Sequence, residues 1–130
     1  MRDRDIYCEL LTDDRGWPLI KFDPDDEELR LAGAFLQEDV GLLQTTCDEV
    51  MQGVQRVMED REGEWIWNGD RFLVRVRKDG TNLTDKYGKD GLDASPVFMD
   101  TRLFVALVRA WTRFVASIPR QREFARIKTA

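Results

Sequence analysis

The sequence predicts an α+β fold: an antiparallel sheet of about five strands with two amphipathic helices packed on one face. Three observations predict it. The run from Glu64 to Arg77 places two β-prone stretches around Asn68-Gly69, the strongest short-range hairpin signal, because both central residues of a type I′ turn need positive φ. In the second stretch Phe72, Val74 and Val76 fall on one face, while Arg71, Arg75 and Arg77 fall on the other. That alternation marks a half-buried strand. Two further segments change period, with apolar residues recurring every three or four positions as in helices that bury one face.

Taken in order, Ile6 to Leu11 reads as a first strand. The stretch Thr12-Asp13-Asp14-Arg15-Gly16 is turn chemistry, with Asp accepting local backbone bonds and Gly free to take positive φ. Residues 17–22 return as a second strand, Pro18 being tolerable at its start or on an edge. A charged connection, 23–28, follows. Leu29, Leu31 and Gly33 alternate with Arg30, Ala32 and Ala34, which reads as a short third strand up to Phe35. From Gln37, the spacing of Val40, Leu43, Cys47, Val50, Met51, Val54, Val57 and Met58 predicts a helix of six turns, ending between Asp60 and Gly63. Glu38 and Asp39 then stand in its first turn, where the helix dipole favours acids. The hairpin follows, with an additional strand at 81–84 and a polar loop over 85–96. Asp100 caps a second helix with a wide apolar stripe from Leu103 to Ile118, and Pro119 stops it. The basic tail over 119–130 is expected to fray, with Phe124 and Ile127 able to extend it against a partner.

At 130 residues the chain predicts one domain, 1–130, large enough for a core without disulfides or metal. It begins with charged residues rather than an apolar leader and has no run of the roughly 18 apolar residues that a membrane span requires. Cys8 and Cys47, in apolar patterns, therefore read as buried thiols of a cytoplasmic protein. Histidine is absent, which removes the Ser-His and Cys-His pairs, an imidazole base and His-containing zinc sites. Neither a catalytic set, a cofactor motif nor a metal site is expected. The net charge of −5 divides into −10 over residues 1–60 and +5 over 61–130. An acidic surface of this kind steers basic partners and repels nucleic acid and anionic lipid.

Four places deserve weighing as sites. The acidic run Asp23, Asp25, Asp26, Glu27 and Glu28, with Glu38 and Asp39 beyond it, is either a solvated connection or the rim of a basic partner's footprint. Trp17, Trp65 and Trp67 fill a core by default, yet a Trp beside an acidic rim also suits a binding hot spot. The loop starting at Asp85 fails the EF-hand spacing, since Tyr87 and Lys89 occupy its third and fifth positions. Arg71, Arg75 and Arg77 could meet single-stranded nucleic acid, but a pI near 4.8 favours ion pairs with the acidic half.

The order Tyr7-Cys8-Glu9-Leu10, Asp13, Gly16, Glu28, Gly33, Glu38-Asp39-Val40, Leu42-Leu43 and Asp48-Glu49-Val50 resembles the YacL-like family of small acidic bacterial proteins. Trp65, Gly69, Val74, Val76, Phe104, Val105 and Phe114 continue the resemblance, which spans residues 6–117; the basic tail departs from it. The original members have no established activity, so the resemblance implies no catalytic residue. Similar proteins include small immunity proteins that bind and neutralise a cognate toxin.

The function expected is therefore non-catalytic protein binding: a cytoplasmic immunity or antitoxin-type protein that occludes a basic effector, such as a nuclease toxin, without nucleic acid, membrane or cofactor. Its expected partner-binding residues are Trp17, Asp23, Asp25, Asp26, Glu27, Glu28, Glu38, Asp39, Trp65 and Trp67. A stand-alone house-keeping protein, as a homodimer, is the alternative, followed by an enzyme built on carboxylates and a metal.

Overall fold

A computed structural model describes residues 6–23, 26–91 and 94–118. Asp25, the middle of the 85–96 loop, Pro119 and the basic tail lie outside the described residues. The chain is α+β, and its described residues form two antiparallel sheets and three α-helices in place of one five-stranded sheet and two helices. Among the described residues, strands β1 (Tyr7–Thr12) and β2 (Pro18–Asp23) pair only with each other, Tyr7 opposite Asp23 and Thr12 opposite Pro18. Cys8, expected to be buried, is exposed on this ribbon because most of β1 faces solvent, whereas Cys47 is buried as expected. Strands β3 (Trp65–Asn68), β4 (Phe72–Arg77), β5 (Gly80–Asp85) and β6 (Val97–Met99) form the second sheet in sequence order. The division follows from chain connectivity: more than forty residues of helix and turn separate β2 from β3.

The expected third strand is a helix. α1 spans Glu27–Phe35, and Asp26 caps it by accepting the Leu29 N–H at 3.0 Å. Glu27 and Glu28 stand in its first turn, where the dipole favours acids. Over this stretch, alternation and helical spacing both place apolar residues in register. The helical reading wins because it buries Leu29, Ala32, Gly33, Phe35 and Leu36 together. Asp26 followed by two glutamates was the helix-start signal in the sequence.

The expected six-turn helix is divided. Leu36–Val40 forms a π-helical turn continuing α1, closed by the Gly41 N–H on the Leu36 carbonyl at 2.8 Å. Gly41, at φ +64°, then turns the chain out of the helix. α2 starts afresh at Gln44 and runs to Met58. Its apolar stripe stays in register with the π turn, which is why periodicity alone joined them. Trp111 fastens the break by donating its indole N–H to the Gly41 carbonyl at 2.8 Å.

The hairpin is present, but its turn is not type I′: neither Asn68 nor Gly69 has positive φ. A longer loop, Gly69 to Arg71, joins the strands and is held from outside by Asp39, described below. Trp65 faces Val76 and Trp67 faces Val74 across the ladder, so both indoles share the inner face with Phe72. Trp65 also lies against α2 where Gly53 leaves room: a Cβ there would stand 2.3 Å from the indole. The additional strand expected at 81–84 is β5, an interior strand, and β6, which the sequence pattern does not predict, follows the expected 85–96 loop and precedes the Asp100 cap.

α3 (Thr101–Ser117) is capped as expected, Asp100 accepting the Arg102 N–H at 2.8 Å. α2 and α3 pack on each other and on the inner sheet face, while α1 lies between the β1–β2 ribbon and the β5–β6 side. Phe35 is the centre of this core, with ring contacts to Trp67, Phe72 and Phe104 at centroid distances of 6.1, 6.1 and 5.7 Å. No helix among the described residues is long and apolar enough to cross a membrane.

Candidate protein-binding surface

Of the ten residues singled out in the sequence, Asp25 lies outside the described residues, Glu38 joins an ion-pair cluster with Arg71, and the other eight fall into three groups. The first is inward-looking. Asp39, at the end of the π turn, accepts the Trp67 indole N–H at 3.0 Å and the backbone N–H groups of Arg71 and Phe72 at 3.0 and 2.9 Å. One carboxylate thus satisfies three donors and replaces the turn that Asn68-Gly69 would have made alone. Trp65 is 9% exposed, and Trp67 packs against the core. These three residues hold the fold. Their indoles do not form an exposed aromatic patch.

Beside this node is an ion-pair cluster that the arginine pattern foreshadowed. Arg71 grips Asp85 with Nε and Nη2, at 3.1 and 3.0 Å, and lies 3.7 Å from Glu38. The Arg71 hydrogen bonds, opposed by partial burial, hold the Asp85 carboxyl below its ordinary range. Lys86 completes the cluster by donating to Asn68 Oδ1 and to the Gly69 carbonyl. On the outer sheet face Glu64 accepts from Arg77 at 2.8 Å and Arg75 at 3.2 Å, and Arg77 followed by Arg75 holds its carboxyl below the usual value. The three arginines are thus neutralised by acids of the same chain.

The second group is outward-looking and lies at one end of the ribbon. Asp23 closes β2 on the solvent side, and Glu27 is exposed in the first turn of α1. Neither makes an ion pair among the described residues, whereas Asp26 is engaged as the cap and Glu28 has a partner. Tyr7 stands directly opposite Asp23 and is 73% exposed, with exposed Glu9 on the same ribbon face. An aromatic ring with acids around it is therefore present, but the ring is Tyr7 rather than an indole. The period-two pattern contained this signal, since Tyr7 shares parity with Glu9 and opposes that of Leu10.

Trp17 forms the third group. It is 44% exposed just before β2, at the opposite end of the strand from Asp23. Its N–H is bound at 2.9 Å by Asp13 Oδ1, which also accepts from Arg15, and Gly16 takes φ +83°. This is the turn chemistry the sequence expected. About six residues of strand, roughly 20 Å, separate Trp17 from the acidic end. The two belong to different patches.

No family model, curated protein or solved structure matches the chain.

Proposed function

We propose that the chain is a non-catalytic protein-binding module of immunity or antitoxin type, which neutralises a basic effector, such as a nuclease toxin, by covering it. The observation that carries the reading is the Tyr7, Glu9, Asp23 and Glu27 group: an exposed aromatic ring on a strand with carboxylates that form no ion pair among the described residues, with Lys21 the one described cation opposite them in the ladder. Tyrosine is a favoured anchor of interfaces, giving a large rigid contact with a polar tip. The acids give an attractive field for a basic partner and speed its association. The net charge of −5 adds to that field.

The test is co-purification of the tagged chain with the product of the gene directly upstream, in about 0.15 M salt, where the screening length is about 8 Å. A stoichiometric complex with a product that is toxic when expressed alone is expected. Charge reversal at Asp23 and Glu27 together is expected to slow association about tenfold at low salt and much less at high salt. Asp26 is left unchanged in that variant because it caps α1. A chain that elutes alone or as a self-dimer, beside a harmless neighbour, would sink the toxin reading in favour of the stand-alone alternative.

A further inference from the structure

The acidic half of the chain contains a groove that does not follow its charge. It runs between β2 and α1, has a volume of about 380 Å³, and is lined by Ile20, Lys21, Phe22, Leu29, Arg30, Gly33, Ala34 and Gln37. Arg30, Gly33, Ala34 and Gln37 recur at helical spacing, so one stripe of α1 and its π continuation forms the wall facing the strand. Gly33 sets the width, because a Cβ there would stand 3.0 Å from the Phe22 ring and 3.3 Å from Ile20. Lys21 and Arg30 make no ion pair among the described residues. Glu9 stands opposite Lys21 in the ladder, but no ion pair forms between them.

The strand wall offers hydrogen bonds as well as charge. Among the described residues, β2 pairs with β1 on one side only. The Ile20 N–H donates to the side-chain oxygen of Gln37 at 2.8 Å, so it points away from β1. By the alternation of an antiparallel ladder, the Ile20 carbonyl and both backbone groups of Phe22 point the same way. No described residue bonds these three groups. The Gln37 amide already occupies the place that a neighbouring strand's carbonyl would take. Pro18 at the start of β2 confines the open edge to a short stretch, a common protection against indiscriminate pairing.

We propose that this groove binds an extended acidic segment of a partner protein, which adds to β2 as the third strand of the ribbon. Three backbone bonds, to the Ile20 carbonyl and to the N–H and carbonyl of Phe22, fix the segment. Its residues paired with Ile20 and Phe22 turn inward and are apolar, resting beside the Ile20 and Phe22 side chains and on the half-buried Ala34. Those between them turn to the Lys21 face and are acidic, with Arg30 across the groove as the second cation. Strand addition of this kind takes affinity from the main chain and selectivity from alternate side chains. The inference does not rest on the basic-effector reading: it uses the outer edge of β2 and a segment of opposite charge, so either can fail alone. Because Lys21 shares a ribbon face with Glu9 and Asp23, the two partners would compete.

The probes are capped octapeptides of alternating valine and glutamate, or alternating valine and lysine, titrated into the ¹⁵N-labelled full chain. Saturable shifts are expected over Ile20 to Phe22 and Gly33 to Gln37 with the glutamate peptide, and binding about tenfold weaker with the lysine peptide. The double variant Lys21→Glu/Arg30→Glu, at positions exposed enough to keep the fold, should reverse that preference. N-methylation of the valines removes the donors that face β2 and should weaken binding about tenfold. N-methylation of the glutamates, whose amides face away, should leave it nearly unchanged. Binding that ignores the sign of the peptide charge, or loses equally from both methylations, overturns the proposal, as does the absence of saturable shifts at millimolar peptide.

Discussion

The ribbon and the four-stranded sheet are both antiparallel and locally well patterned, yet they play opposite parts. In the sheet, Phe72, Val74, Val76, Leu83 and Met99 are almost fully buried beneath the helices. In the ribbon only Pro18 and Ile20 are buried, and most of β1 faces solvent. A two-stranded ribbon has little independent stability and must lean on another element; here it leans on α1 through Ile20 and Phe22 at Gly33. Stability is thus concentrated in the sheet and helices. The ribbon exposes an aromatic ring, acids that form no ion pair among the described residues, and a strand edge that no described strand pairs. Surfaces for binding lie where packing demands least.

The largest break in that comparison is Phe35→Ala. Phe35 is fully buried and touches three other rings, so its loss should cost about 4 kcal/mol as transfer and cavity terms combined. Tyr7→Ala, at a 73% exposed position, should change stability by less than about 0.5 kcal/mol. Urea unfolding of the two variants checks both numbers. The same Tyr7 variant should bind the basic partner of the proposed function less tightly. Equal destabilisation by the two substitutions would mean that the ribbon belongs to the core after all.

A smaller effect distinguishes two neighbouring acids. Asp39→Ala strands three donors, the Trp67 indole N–H and the Arg71 and Phe72 backbone N–H groups, and should cost about 3 kcal/mol. Glu38→Ala removes one long contact to Arg71 from an exposed side chain and should cost less than about 0.5 kcal/mol. Thermal unfolding checks the pair, with tryptophan emission reporting whether Trp67 has lost its partner. The sequence treated Glu38-Asp39 as a single acidic feature. Only the fold separates them, because the donors that Asp39 meets lie about thirty residues further along the chain.

That case illustrates what was legible and what was not. Local signals were readable: the Asp13–Gly16 turn, the Asp100 cap, the in–out alternation of β4 and the stripe of α3. The errors arose where two patterns coincided or where a distant group intervened. Leu29 to Phe35 satisfied both periods, and the decision depended on a core formed with the sheet. Asn68-Gly69 favours a type I′ turn in isolation, but three hydrogen bonds to Asp39 outweigh a turn preference. The number of strands was nearly right and their partition was not, since pairing is a long-range choice. For the candidate site, the sequence singled out Asp23 and Glu27, which are exposed, together with Trp65 and Trp67, which the structure packs on the core, and passed over Tyr7, which it leaves exposed. Tryptophan count alone does not distinguish an indole spent on the core from a ring left at an edge.

The smallest expected effect is electrostatic and tests the sheet's outer end. Asp85 has its folded-state carboxyl held below the ordinary value of 3.8, chiefly by hydrogen bonds from Arg71. A depressed acid contributes stability that is present above its unfolded value and lost as pH falls through the folded one. The contribution should therefore be complete at neutral pH and disappear in the acid range below about 3.8. Both side chains retain contact with solvent, 28% for Arg71 and 21% for Asp85, so screening keeps the effect to about 1 kcal/mol or less. Asp85→Asn should lower stability at pH 7 by that amount and lose its deficit relative to the wild type in acid. Since the guanidinium also lies 5.1 Å from the Phe72 ring and 5.9 Å from that of Tyr87, releasing it affects the strand end as well as the pair. A deficit that persists unchanged at low pH would assign the role of Asp85 to its bond with the Tyr87 N–H, at 3.0 Å, rather than to its charge.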